Sequence, residues 1–246
     1  MGLMTFIGYL FVFLFGIIAG DFINICIYHF FEKKKILVKT FYNKECEHRL
    51  RLPELVFLSF SIFTKKKCVL YYDRLIVELL NATLYMCIFV LNGFSISSLI
   101  SCFFVSSLLI LSFVDWKIYE IPPKINIFIL IIGIINLLVD LKNFTDYIIG
   151  FFLVSTILII LYVLTKGKAI GGGDIKLMAV AGLMLGFERI FLAFFIGCVL
   201  ATVIYIIQTR FVKTNGILAL GPYLSAGIII SLLWGNKLLE WYYTVL

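Results

Sequence analysis

Two aspartates stand at the edges of long apolar runs: Asp115 in Ser112-Phe113-Val114-Asp115, and Asp174 in Gly171-Gly172-Gly173-Asp174. A carboxylate beside hydrocarbon is costly, so two of them in such settings call for a role. Two carboxyls near enough to share one proton cannot both ionise. One then takes a proton from water while the other gives one to a peptide carbonyl oxygen. Such a pair titrates as a unit and would perform aspartic proteolysis. Gly171, Gly172 and Gly173 suit a site where another backbone comes close. Pro122 and Pro123, after Asp115, would interrupt a helix and shape the opposite wall. Plainer readings compete. An aspartate at a helix end also serves as a cap, and a glycine run also serves as a flexible turn. Lys176 is either a membrane-orienting charge or a partner for Asp174 or a substrate carbonyl.

The elements that would position these groups are membrane spans. Of 246 residues 63% are hydrophobic and only 14% charged, more apolar surface than a water-soluble chain of this size could hide. A span needs about 20 apolar residues. On that measure the sequence predicts about eight helices, near 3–31, 71–92, 96–114, 124–141, 145–165, 174–187, 189–209 and 216–236. The expected fold is therefore an all-α polytopic bundle, one domain over 1–246, with a single insertion at 32–70. The first apolar run is too long for a cleaved signal and reads as a retained span. Within the insertion, Leu55 to Phe63 could form a short amphipathic or interfacial helix.

The net charge of +7 suggests nucleic acid only at first sight, because basic residues beside spans encode orientation instead. With the insertion placed in the cytosol and the chain alternating, eighteen Lys/Arg fall on the cytosolic side and three, Lys142, Arg189 and Lys237, on the other. The bias survives removal of the insertion, at eight against three. Both termini then lie on the non-cytosolic side, and Asp115 and Asp174 lie together on the cytosolic one. The partner expected from this is the lipid bilayer, not nucleic acid.

Cys26, Cys87, Cys102 and Cys198 lie in apolar runs, where cysteine acts as a small hydrophobe. Cys46 and Cys68 lie in the insertion, where a reducing cytosol disfavours a disulfide. With His48 they make three candidates at irregular spacing, short of a zinc site, and no metal is expected.

Several motifs together resemble the type IV prepilin peptidases, bacterial intramembrane aspartic proteases. Gly20-Asp21-Phe22-Ile23-Asn24-Ile25-Cys26-Ile27-Tyr28 is similar to that family's Gly-Ser-Phe-Leu-Asn-Val-x-Ile-Tyr. Asp115 followed by Ile121-Pro122 resembles its Asp-x5-Ile-Pro-Asp element. Gly171-Gly172-Gly173-Asp174-Ile175-Lys176-Leu177 resembles Gly-x-Gly-Asp-x-Lys-Leu, the most specific of the set. Leu220-Gly221-Pro222-Tyr223-Leu224 resembles a late Phe-Gly-Pro-Phe-Leu, and Glu78 falls where the family carries Glu.

The resemblance implies that Asp115 and Asp174 are the catalytic pair, and that the substrate is a type IV prepilin or pseudopilin precursor. Its basic leader would be cut off at the cytosolic face of the bacterial plasma membrane. It implies, too, a second activity, N-methylation of the new amino terminus from S-adenosylmethionine, associated with the insertion. Proteolysis itself calls for no cofactor. Two positions depart from the family pattern without touching its site: Asp21 replaces the usual serine, and Pro123 replaces an aspartate. Asp21 reads as an interior polar residue bonded to Asn24 or a neighbouring helix. The family's paired Cys-x-x-Cys elements are reduced to Cys46 and Cys68, and an Arg-Gly-x-Cys-like element to Lys65-Lys66-Lys67-Cys68.

Two other classes would place acids in a membrane: a proton- or cation-coupled transporter, and a non-catalytic scaffold for pilus or secretion assembly. Neither predicts that single Asn substitutions at 115 and 174 abolish cleavage of a precursor.

Overall fold

The structure, a computed structural model, describes residues 3–33, 69–167, 170–211 and 218–245. The insertion's interior, with Leu55 to Phe63, Cys46, His48, Cys68 and Lys65 to Lys67, lies outside the described residues. So do Lys168 and Lys213. Among the described residues are eight α-helices: α1 Leu3–Lys33, α2 Val69–Asn92, α3 Ile96–Ile118, α4 Pro123–Val139, α5 Phe144–Leu164, α6 Gly172–Leu185, α7 Phe187–Phe211 and α8 Gly221–Val245. A short 3₁₀ turn, Leu141–Asn143, joins α4 to α5. The expected all-α bundle is what the described residues form.

Five of these helices contain stretches long and apolar enough to cross a membrane: Thr5–Phe30, Arg74–Asn92, Ile96–Ile118, Leu141–Leu164 and Phe187–Arg210. Pro123–Val139 is a shorter apolar helix. Large apolar side chains point outward along them, among them Phe6, Phe11, Phe22, Phe152, Phe191 and Phe195. Apolar surface on that scale suits lipid and would drive association in water. The 14 residues of α6 reach only about 21 Å, short of a hydrocarbon core of ~30 Å. Its start differs slightly from expectation, since Gly172 and Gly173 join the helix. The last helix is displaced further, opening at Gly221-Pro222 rather than 216 and running to Val245. Proline fits a helix's first turn, where its missing N–H would have no partner anyway.

Pro122 and Pro123 interrupt the helix, as expected. Helix α3 stops at Ile118, and Tyr119 turns into the left-handed region at φ 56° while its N–H still donates to the Asp115 carbonyl at 2.8 Å. Helix α4 then starts with Pro123 in its first turn.

The chain packs as two compact units, 1–110 and 111–246, with the boundary inside α3. In the first, α1 and α2 meet through small residues. A Cβ on Gly16 would fall 2.6 Å from the Ala82 Cα, and one on Gly20 equally near the Glu78 Cα. Glycines four apart let two helices touch backbone to backbone, the usual packing device where lipid removes the hydrophobic drive. Polar groups then bond across the contact. Arg74 donates from Nε to Glu78 at 3.0 Å and from Nη2 to Asp21. Asn24 donates to the Arg74 carbonyl and to Glu78. Further along, Asn81 donates to the Gly16 carbonyl at 2.8 Å, and Ser106 donates to Asn81. Asp21 is thus an interior polar residue, bonded to the neighbouring helix through Arg74.

In the second unit α4 lies along α6, α5 along α6 and α7, and α7 along α8. A Cβ on Gly133 would touch the Leu183 side chain, and one on Gly150 would collide with the Gly182 carbonyl at 2.7 Å.

Arg74 is the cation holding two buried carboxylates in the first unit. Arg74→Ala is expected to cost about 3–5 kcal/mol, the usual penalty for orphaning buried charge. Thermal unfolding in detergent checks it. Adding Asp21→Asn and Glu78→Gln to that variant should recover part of the loss.

Candidate functional site

Both sequence-predicted acids belong to the second unit, and both are buried: Asp115 in the last turns of α3, Asp174 in the first turn of α6. They lie near enough for the charge on Asp115 to act on Asp174. Three helix ends converge there. The N–H of Gly221, first residue of α8, donates to Asp115 Oδ2 at 2.9 Å. A Cβ on Gly173, in the first turn of α6, would strike the Ile121 Cβ at 2.8 Å, so the glycine run lies against the segment that follows Asp115.

Each carboxyl meets the positive end of a helix. Asp174 sits in its own helix's first turn, and Asp115 accepts the first N–H of another. Helix N-termini carry unpaired N–H groups and the positive end of the peptide dipoles, which suits a buried anion. Among the described residues no lysine or arginine forms an ion pair with either aspartate.

The three glycines differ. A Cβ on Gly171 would come within 3.0 Å of Asp174 Oδ2, and one on Gly173 would meet Ile121. A Cβ on Gly172 would meet nothing within 4 Å. Gly171 and Gly172 are exposed while Asp174 behind them is buried, so the run forms an open rim beside a covered carboxyl. Lys176, on the same helix, is exposed and forms no ion pair with Asp174 among the described residues. The structure brings together Asp115, Asp174 and the glycines, and leaves Lys176 on the outer side of α6.

Gly221 was not among the residues singled out for chemistry, although it touches Asp115 directly. A Cβ there would sit 2.6 Å from Asp115 Oδ2, so only glycine lets the amide approach. The signal in the sequence was Gly221-Pro222, a helix start in an otherwise apolar stretch. The next residue, Tyr223, is buried, and its ring stands 6.4 Å from that of Trp116 beside Asp115. Among the described residues no three His, Cys, Asp or Glu gather as a metal would require. Chemically, this arrangement offers two buried acids at the edge of an apolar core, beside an exposed run free of side chains.

Residues 102–206 match the type IV leader peptidase family. That stretch contains both aspartates and ends before Gly221. The chain is 29% identical over 207 residues to the prepilin leader peptidase/N-methyltransferase of Bacillus subtilis (strain 168), covering 80% of this chain and 82% of that one. It is 24% identical over 268 residues to the protein of the same name from Aeromonas salmonicida (strain A449), covering 94% and 92%. With the Legionella pneumophila protein of that name it shares 28% identity over 160 residues, 61% of this chain and 55% of the relative. No solved structure gives a significant match. The resemblance read from the motifs is thereby shown, and it extends over most of the chain.

The glycines make a direct test. Gly173→Ala is expected to cost about 1–3 kcal/mol through overpacking against Ile121, whereas Gly172→Ala should leave stability unchanged or slightly raised. Thermal melts of the two purified variants against wild type decide it.

Proposed function

We propose that this relative of the type IV leader peptidases is an intramembrane aspartic endopeptidase that removes the leader from a type IV prepilin or pseudopilin precursor. The observation that carries the proposal is the burial of Asp115 and Asp174 at adjoining helix ends, with Asp174 within reach of the Asp115 charge, beside the open rim of Gly171 and Gly172. The relatives' names supply the substrate class.

In this mechanism the pair holds one proton between its carboxyls. An extended stretch of precursor lies along the glycine rim with its scissile carbonyl at the pair. The carboxylate takes a proton from water as the water oxygen bonds to the carbonyl carbon. The protonated partner gives its proton to the carbonyl oxygen. The tetrahedral intermediate collapses when the C–N bond breaks, the leaving nitrogen takes a proton from the pair, and one hydroxyl of the diol returns its proton to the pair as the C=O bond reforms. Gly221 holds one oxygen of Asp115 through its N–H, which fixes the ring of atoms in which these transfers occur.

The charge bias supports a cytosolic site in the bacterial plasma membrane. Arg74, Lys117, Lys124, Lys166, Lys176 and Arg210 all flank the helix ends assigned to that side. A precursor with a basic leader and an apolar helix would insert with its leader on that same side. N-methyl transfer is the second activity named for the relatives, and S-adenosylmethionine is its proposed methyl donor here. The insertion with which it is associated lies almost wholly outside the described residues, so no residue is assigned to it.

Mass spectrometry of a co-expressed pilin-type precursor tests cleavage and methylation together. Wild-type protein should yield the shortened product, with the mass of one added methyl group if the transferase activity is retained. Asp115→Asn and Asp174→Asn should each lower cleavage by about 10²–10⁴-fold or more, since neither acid can serve both roles. An intact precursor with wild-type protein would favour the transporter reading. Unchanged processing in both variants would favour the scaffold reading.

Orientation has its own test. Alkaline phosphatase fused after Leu246 should be active, and fused in the loop at Lys166 inactive. The opposite pattern would put the acids on the wrong side for a cytosolic leader.

A further inference from the structure

Among the described residues of the second unit, two polar side chains are buried without a hydrogen-bond partner: Asn126, at both its amide nitrogen and its oxygen, and Ser225 at its hydroxyl. Asn126 is 5% exposed and Ser225 fully buried. Leaving such groups unpaired is expensive, and native structures rarely do it without a reason. Both lie on helices that bear on the aspartate site, α4 through Ile121 before it and α8 through Gly221.

Their positions follow from contacts along the helices. Ile121 meets Gly173 and Gly133 meets Leu183, so α4 and α6 run parallel. Asn136 of α4 donates to the Met184 carbonyl of α6, which continues the same register. Asn126 falls between the first two contacts, on the stripe that carries Gly133, at the level of Leu177. That is about one turn inward from the glycine rim. Ser225 lies one turn along α8 from Gly221 and on the same side of the helix, the side that meets Asp115. One orphaned group therefore stands behind the glycine run, and the other behind the first acid.

We infer that Asn126 and Ser225 bind the precursor's backbone at the cleavage site, Asn126 pairing with one peptide group through both its N–H and its carbonyl. An amide is the side chain that matches a peptide group donor to acceptor and acceptor to donor. An extended chain on the glycine rim has such groups with no other partner in an apolar site. The inference rests on the peptidase reading and adds to it the residues that hold the substrate. Neither residue is a proton carrier, so their loss should act on binding before chemistry.

Asn126→Leu keeps the volume and removes the unpaired amide. A side chain whose purpose is structural would destabilise the protein when lost, whereas an unsatisfied one should not. The expected result is an unchanged or raised melting temperature, with KM for a precursor peptide raised about 10- to 100-fold and kcat lowered less, as for two lost hydrogen bonds. Asn126→Ala should bind equally poorly, and Ser225→Ala should raise KM to a smaller extent. Binding is measured separately by fluorescence anisotropy of a labelled precursor peptide on Asp174→Asn protein, with and without Asn126→Leu. Weaker binding in the double variant supports the inference.

Equal binding overturns it while leaving the peptidase reading intact, provided wild-type protein cuts the peptide. A lowered melting temperature in both Asn126 variants also overturns it, because the residue is then part of the frame. Wild-type protein that neither cuts nor binds the peptide overturns both readings.

Discussion

Burying a carboxylate among apolar helices costs several kcal/mol unless dipoles, N–H groups or a retained proton compensate. The second unit meets that cost twice in one place, and the arrangement of its helix ends follows from doing so. Asp174 lies in the first turn of α6, and Asp115 takes the first N–H of α8. The backbone comes that close only because residue 221 has no side chain. The segment after Asp115 closes on α6 only because residue 173 has none. Remove either glycine and the acids lose their placement before they lose their chemistry.

The first unit solves the same problem by a different route. Asp21 and Glu78 are buried too, but Arg74 lies between them and Asn24 completes the set. A fixed counter-charge gives a stable joint between α1 and α2. Around Asp115 and Asp174 no cation forms an ion pair among the described residues. In the proposed mechanism such a pair shares a proton that it can exchange with water. This contrast supports a catalytic role for one set of acids and a structural role for the other.

Much of this was legible in the sequence. Apolar run lengths located the eight helices of the described residues, because a membrane leaves few alternatives to a helix. Pro122 and Pro123 marked the break after Asp115, because proline cannot continue a helix. The glycine run marked the start of α6. The proposed pairing of Asp115 with Asp174 was legible only through charge bias and resemblance, and their shared surroundings support it. Gly221 could not be found by spacing, since its contact with Asp115 crosses more than a hundred residues. Asn126 looked like one polar residue in an apolar helix, and only packing shows its amide unsatisfied. The start of α8 was misplaced because residues 216–220 are as apolar as a helix, and the start depends on Gly221-Pro222 meeting Asp115.

The most direct measurement of the central claim replaces Asp115 and Asp174 by cysteine in a chain whose six native cysteines have been removed. The double variant is treated in membranes with the shortest bis-thiol reagent and digested for mass spectrometry. The account predicts one peptide pair bridged between positions 115 and 174, at a yield far above that of a control pair moved one turn along either helix. Separate single adducts at both cysteines, with no bridge, would show that these positions do not meet and would contradict it.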